Sequence, residues 1–332
     1  MARTRQYDIL KQPIPTLLVT FGALLLLLTT RALRAPYALE STEGVLSPVG
    51  VWVDALLGPY VGVAVSVVAI ILASILLIRI INRYSLSVIR SFMPMVLFMI
   101  CVFGVAYPVG SPSMVLTILM LTKASELMFL SFKRHECFGE VMSASFWTAM
   151  ASLLVPEMAY LLILLPAQWL IWQRSPREMI AGLLMIPLPL LLFSCLNWFN
   201  GAPFFGLLGQ WSDSFPALRV VDFAQLYATS GGVLNCALWG LITLLTLLSL
   251  VVFMGGYNSM RTRARKGHII FSLLFLLGLI MFLFGGRPVV AIPIMGFAAV
   301  PLVHTFFVRR KGVVSVVIYL LLLVPLVLSA LQ

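Results

Sequence analysis

The chain is poor in charged residues: only 10% of its 332 residues are Asp, Glu, Lys or Arg, whereas 61% are hydrophobic. Soluble globular proteins usually have about 25% charged and about 45–50% apolar residues. A chain with so little polar surface is not expected to be a soluble enzyme, a disordered tail or a nucleic-acid-binding domain. Its net charge of +11 is explained below by membrane topology, and no nucleic acid is expected as a partner.

Histidine is scarce, and the common metal and nucleotide motifs are missing. The three histidines, His135, His268 and His304, include no two at ligand spacing on one helix. Non-haem iron sites commonly combine two or more histidines with carboxylates, so the sequence predicts no metal. The chain also has neither a Walker phosphate-binding motif nor a glycine-rich dinucleotide motif, and no cofactor is predicted.

The abundant feature is apolar sequence in long runs, and the mean hydropathy is +1.08. A helix that crosses a bilayer needs about 20 mostly apolar residues. Nine segments fit this template, near residues 14–30, 59–81, 91–107, 113–132, 179–197, 233–254, 269–285, 288–308 and 313–331.

A further apolar stretch, 138–172, is too long for one helix and is interrupted by Pro156-Glu157. We interpret it as a tight helical hairpin, near 138–155 and 158–172, whose tip lies at or below the outer surface. The sequence therefore predicts an all-α, polytopic transmembrane bundle of about eleven crossings, with residues 1–332 in a single integral membrane domain. The long unbroken runs exclude a β-barrel.

The basic residues test this threading, because Lys and Arg near helix ends accumulate on the cytoplasmic side. With the N-terminus inside, 17 of the 22 Lys and Arg lie in inner segments. The others are Lys123, within a span, and four outer residues, Arg31, Arg34, Arg219 and Arg287. A single crossing over 138–172 would place several basic clusters outside. We therefore expect a cytoplasmic N-terminus and an outer C-terminus.

The four cysteines, Cys101, Cys137, Cys195 and Cys236, include no C-x-x-C pair. Cys137 is predicted to be cytoplasmic and therefore a free thiol. Cys195 and Cys236 lie near the outer ends of consecutive predicted spans, and the sequence leaves open whether they are close.

Lys123 and Glu126 are charged residues inside the fourth predicted span, where charge is costly. Their spacing of three places them on one helix face. At about 1.5 Å per residue, Lys123 lies roughly 16 Å above Arg134, near the middle of the membrane. The pair could bind an anionic headgroup or relay protons. The alternative is a self-neutralised pair that faces the bundle.

Carboxylates on the predicted outer side are the candidate catalytic groups. Glu40, Glu43 and Asp54 share the first outer loop, near 31–58, and could bind a divalent metal or act as a base. Glu157, at the hairpin tip, could be an acid or base at the outer face. Ordinary solvated charges are the alternative explanation for all four residues.

Arg79 and Arg83 lie at the inner end of the second span, one helical turn apart. Arginine pairs with phosphate through two parallel hydrogen bonds, so these residues could bind a lipid phosphate. The alternative is the general enrichment of basic residues on the inner side.

Two patches of sequence resemble an uncharacterised family of multi-spanning inner-membrane proteins found in Bacteroidota. One patch is 82–86 with 91–94, and the other runs from Ser145 to Pro156, followed by Arg177-Glu178 and Gly182. The layout of the chain is also similar to GT-C glycosyltransferases, which use polyprenyl-linked sugars at the outer face. That resemblance implies a catalytic carboxylate in the first outer loop, at Glu40, Glu43 or Asp54.

Three functions remain as hypotheses. The first is a non-catalytic subunit of an envelope or membrane complex. The second is a GT-C-like transferase, and the third is a lipid or solute transporter that uses Lys123 and Glu126. Membrane lipids are the expected partners, together with other membrane proteins in the first case. Whether the chain is an enzyme stays open at this point.

Overall fold

The computed structural model describes residues 14–34, 44–87, 89, 91–104, 108–132, 136–215, 233–284, 287–309 and 313–331. Within these ranges the chain is helical and contains no strand, which confirms the all-α fold. In chain order the α-helices are α1 Ile14–Arg34, α2 Pro48–Arg83, α3 Met93–Phe98, α4 Pro112–Ser131, α5 Phe138–Leu154, α6 Leu164–Trp172, α7 Pro176–Met185, α8 Leu188–Phe199, α9 Gly206–Asp213, α10 Val233–Gly255, α11 Thr262–Phe284, α12 Pro288–Arg309 and α13 Val313–Leu331.

Seven helical stretches are long and apolar enough to cross a membrane: Ile14–Leu33, Pro48–Arg83, Pro112–Ser131, Pro176–Phe199, Cys236–Gly255, Thr262–Phe284 and Pro288–Arg309. Two more apolar helical stretches, Met93–Phe103 and Val314–Val324, are shorter. The described part of the chain therefore has the helix lengths and composition of a membrane protein.

Helix α2 begins well before the predicted span 59–81. Ser47 caps its N-terminus by accepting a hydrogen bond from the Gly50 amide at 3.1 Å, and Pro48 opens the helix. The chain bends at Gly58, whose φ of 65° suits glycine, immediately before Pro59. Much of the predicted first outer loop is consequently helical.

The predicted span 179–197 is formed by two helices rather than one. Helix α7 ends at Met185 and α8 begins at Leu188, with Pro187 between them. A proline lacks the amide hydrogen that continues a helix, and this accounts for the break. Helix α11 is longer than its predicted span. It begins at Thr262 rather than 269 and includes basic residues that were assigned to the inner loop.

The stretch 138–172 doubles back, as the sequence predicts. Helix α5 ends at Leu154, a 3-10 helix follows over Pro156–Ile163, and α6 returns to Trp172. At its base, the Cys137 amide donates a hydrogen bond to Glu178 Oε1 at 2.5 Å. The two ends of the 138–172 segment therefore lie close together.

The hairpin tip is covered by protein. The last carbonyl groups of α5 have no partner within their own helix. The Ser152 carbonyl accepts from Trp211 Nε1 at 2.8 Å, the Leu154 carbonyl accepts from the Ser47 amide at 3.0 Å, and the Leu153 carbonyl accepts from the Ser47 hydroxyl. Ser47, in the predicted first outer loop, and Trp211, in α9, thus donate hydrogen bonds to the last carbonyl groups of α5.

Helix α12 lies at the centre, and every residue from Val290 to Phe307 is buried. It packs against α10, α11 and α3, and against the π-helix Met99–Phe103 that continues α3. At Gly296 this packing is so close that an added Cβ would overlap the Cys101 carbonyl group. By contrast, α7, α8 and α10 expose apolar side chains such as Leu184, Phe199 and Val251, as lipid-facing helices do.

Candidate functional site

Helices α2 and α4 bring three charged side chains together. Glu126 Oε2 lies 2.7 Å from Lys123 Nζ, and Glu126 Oε1 lies 3.2 Å from Arg79 Nε. The spacing of three residues predicts the contact between Lys123 and Glu126. The contact with Arg79 is new, because the sequence placed that residue in a separate group.

The cluster of Arg79, Lys123 and Glu126 is asymmetric in its exposure. The Glu126 side chain is only 1% exposed, whereas those of Arg79 and Lys123 are 49% and 36% exposed. The buried carboxylate therefore has an ion-pair partner at each oxygen, and within the described residues only its Oε2 atom accepts a hydrogen bond. The two cations against one anion leave the cluster with a net charge of +1 on its exposed side.

An aromatic and basic cluster lies next to it, where α2, α4 and α11 meet. The Arg263 guanidinium stacks 4.8 Å from the ring centroids of both Tyr84 and Phe132. Lys266 Nζ lies 5.8 Å from the Phe132 ring. Such cation–π contacts hold the helix ends together. From the sequence, Arg263 and Lys266 were assigned no role beyond membrane topology, because their contacts with Tyr84 and Phe132 join residues that lie far apart in the chain.

Tyr84 follows α2 directly and is buried. Burial raises the pKa of its hydroxyl; the charge of Arg83 opposes this shift, and that of Glu126 adds to it. Arg83 itself lies one turn beyond Arg79 in the last turn of α2, and no described carboxylate forms an ion pair with it. Arg83 is thus near the charged cluster but outside it.

Glu157 is held at the hairpin tip, where its side chain is 2% exposed. Its Oε1 atom lies 3.3 Å from Arg287 Nε, and Arg287 Nη1 also donates to the Ser214 carbonyl at 3.4 Å. Burial raises the pKa of Glu157 to about 8, and the charge of Arg287 offsets only part of this shift. The pair joins the tip of the hairpin to the start of α12.

Asp54 caps the N-terminus of α4. Its Oδ1 atom accepts from the Ser113 amide at 2.8 Å, and its Oδ2 atom accepts from the Ser111 hydroxyl at 2.5 Å. A carboxylate stabilises the positive end of a helix in this position. Glu40 and Glu43, the other catalytic candidates, lie outside the described residues. A catalytic role for the three outer carboxylates stays a prediction.

Two buried histidines are polar residues to which the sequence assigned no role. His268 Nδ1 lies 2.8 Å from the Ala264 carbonyl, and its Nε2 lies 2.8 Å from Thr305 Oγ1. A neutral imidazole can donate from Nδ1 to the Ala264 carbonyl. The Thr305 hydroxyl also lies 2.9 Å from the Pro301 carbonyl, and its single proton can be donated to only one of these two acceptors. His304 is fully buried, and neither ring nitrogen has a hydrogen-bond partner within the described ranges.

No described group of three or more His, Cys, Asp or Glu side chains is arranged to hold a metal ion. Cys101 and Cys195 are free thiols. The charged cluster of Arg79, Lys123 and Glu126 is therefore the candidate site with the clearest geometry.

Comparison of the chain with protein-family models, curated proteins and solved structures gave no match. The two family resemblances of the sequence accordingly stay predictions, and the proposals below are argued from the residues alone.

Proposed function

We propose that the protein is a multi-spanning inner-membrane protein that acts as a non-catalytic subunit of a membrane or envelope complex. The observation that carries the proposal is that the described candidate carboxylates contact neighbouring helices. Asp54 caps α4, Glu126 binds Lys123 and Arg79, and Glu157 binds Arg287. Each carboxylate is engaged in holding helices together, which is the work of a scaffold.

The proposed topology has eleven crossings, with the N-terminus in the cytoplasm and the C-terminus outside. The seven long spans are joined by α3 with its π-helical continuation, by the two arms of the hairpin and by α13. Contacts between distant segments support this threading, because they join segments assigned to the same side. Ser47 contacts Leu154 at the proposed outer end, and Cys137 contacts Glu178 at the proposed inner end.

The proposed partners are membrane lipids and at least one other membrane protein. Helices α7 and α8 support the second partner, since much of their apolar surface lies outside the described bundle. Ile180, Leu184 and Leu191 are exposed along these helices. Lipid chains or a neighbouring transmembrane helix would cover such a surface, because both are apolar.

Purification from native membranes in a mild detergent tests the proposed subunit role. We expect a second membrane protein to copurify in fixed stoichiometry through size-exclusion chromatography. Leu184→Trp, on the exposed face of α7, should weaken that association. Val251→Trp, equally exposed on α10, is the matched control and should not. Recovery of the protein only as a lone monomer would contradict the proposal.

A transporter is the second candidate, and the charged cluster on α2 and α4 favours it. Ionisable groups within membrane segments commonly mark ion and substrate pathways. If this is so, Lys123→Ala or Glu126→Ala should stop the flux of the transported lipid or solute in reconstituted vesicles. Normal flux in both variants would reject transport through this cluster.

A further inference from the structure

We infer that Arg79 and Lys123 form a binding site for the phosphate group of an anionic phospholipid in the inner leaflet. The inference rests on the proposed membrane topology but not on the proposed partner protein. Three properties of the cluster carry it: the free donors on the two cations, the uncompensated charge, and the exposure of the cations at the helix surface.

Both cations lie against Glu126. Arg79 Nε lies 3.2 Å from Glu126 Oε1, as an ion pair without a hydrogen bond, and the described residues provide no hydrogen bond to its two Nη atoms. Lys123 uses one of its three N–H bonds on Glu126 Oε2. The buried carboxylate thus holds Lys123 by a hydrogen bond and Arg79 by charge alone, and it leaves a guanidinium edge and two ammonium hydrogens available. That edge matches the spacing of two phosphate oxygens.

The charge of the cluster requires an anion. One carboxylate neutralises only one of the two cations, and the described residues include no second carboxylate paired with Arg79 or Lys123. An unpaired positive charge facing hydrocarbon is costly. The phosphate of an anionic lipid carries the missing charge, and the inner leaflet attracts basic groups near its surface.

The position of the cluster puts it within reach of a lipid headgroup. Arg79 lies four residues before the end of α2, or about 6 Å along the axis, and Lys123 lies eight residues before the end of α4, or about 12 Å. Long basic side chains extend toward the interface from such depths. Both side chains are partly exposed at the helix surface, so a lipid can approach laterally.

Binding of phosphatidylglycerol to the purified full-length protein in phosphatidylcholine-containing micelles tests the inference, with native mass spectrometry and thermal unfolding as readouts. We expect phosphatidylglycerol to bind and to raise the Tm. Arg79→Gln should weaken the apparent affinity about tenfold, or about 1.4 kcal/mol, because it removes a charge-assisted contact to the phosphate. Lys123→Gln should also weaken the apparent affinity for phosphatidylglycerol.

Arg83→Gln is the matched control, because it removes the same charge one turn away without touching Glu126. It should leave the affinity within about twofold of the wild type. An equal loss in Arg79→Gln and Arg83→Gln would indicate a diffuse basic surface and would overturn the site. The Tm in phosphatidylcholine alone shows whether each variant folds.

Inorganic phosphate distinguishes the two sources of the anion. If millimolar phosphate leaves phosphatidylglycerol bound, the intact lipid is the ligand. If phosphate displaces it with full effect, the site belongs to a soluble anion and the lipid assignment is wrong. Neither result affects copurification of a partner protein, so this inference and the proposed subunit role can fail independently.

Discussion

Cys137 and Glu178 are 41 positions apart, yet the Cys137 amide donates a hydrogen bond to the Glu178 carboxylate at 2.5 Å. Glu178 also accepts from the amide and the hydroxyl of Ser175, at 2.9 and 3.0 Å. One buried carboxylate therefore joins the start of α5 to the start of α7. This contact brings the two ends of the 138–172 segment together.

Glu178→Ala should destabilise the protein by about 2 kcal/mol or more. The substitution removes the charge-assisted hydrogen bonds that the buried Glu178 carboxylate accepts from Cys137 and Ser175, and the loss of such bonds costs free energy in this range. Thermal or denaturant unfolding in detergent, followed by tryptophan fluorescence, measures the effect. Arg177→Gln, an exposed neighbour, should stay within about 0.5 kcal/mol of the wild type. Equal stability of Glu178→Ala and the wild type would show that the contact between Cys137 and Glu178 does not stabilise the two ends of the 138–172 segment.

Glu157 should make stability depend on pH. Burial raises its pKa from 4.5 to about 8 in the folded protein. The unfolded chain therefore loses this proton at lower pH than the folded chain does. The contribution of the neutral carboxyl is complete below about pH 4.5 and is lost as the pH rises through about 8.

Glu157→Gln cannot ionise, so its Tm should fall less than that of the wild type between pH 5 and pH 8.5. Scanning fluorimetry over this range measures the difference. Asp213→Asn removes an exposed carboxylate from the same end of the protein and should keep the wild-type profile. A Glu157→Gln profile that parallels the wild type would contradict burial of this carboxyl.

Gly296→Ala should destabilise the protein by about 1–3 kcal/mol, the usual cost of overfilling a packed interior. The added methyl group would overlap the Cys101 carbonyl in the π-helix beside α12. Gly240→Ala is a matched control in α10, because nothing lies within 4 Å of its added Cβ. It should be neutral or slightly stabilising. Comparable unfolding midpoints for the two variants would refute the close approach.

The helices could be predicted from the sequence because membrane spans need long apolar runs. Such runs can be recognised without knowing which helices pack against each other. It also predicted the reversal at Pro156, since a proline after 18 apolar-rich residues interrupts a helix. Helix ends were predicted less well. Helix α2 begins at Pro48 because Ser47 and Pro48 form a start signal inside an apparent loop.

The pairing of helices could not be predicted in this way. Lys123 and Glu126 were expected to lie together because three residues separate them on one helix. The contact of Arg79 with Glu126 depends on α2 packing beside α4, which no local pattern encodes. The role of Glu178 was missed for a similar reason: Ser175 and Glu178 form a visible capping box, but the bond to Cys137 requires the hairpin to close.

The most direct test of the threading is accessibility of cysteines at the two ends of the hairpin. Glu136→Cys and Arg177→Cys would be introduced separately into a Cys195→Ala, Cys236→Ala background, in which the remaining Cys101 and Cys137 are buried. A membrane-impermeant thiol reagent is then applied to vesicles of each orientation. We predict that both cysteines react from the cytoplasmic side, and that Gln210→Cys reacts from the opposite side. Labelling of positions 136 and 177 from opposite compartments would contradict the account.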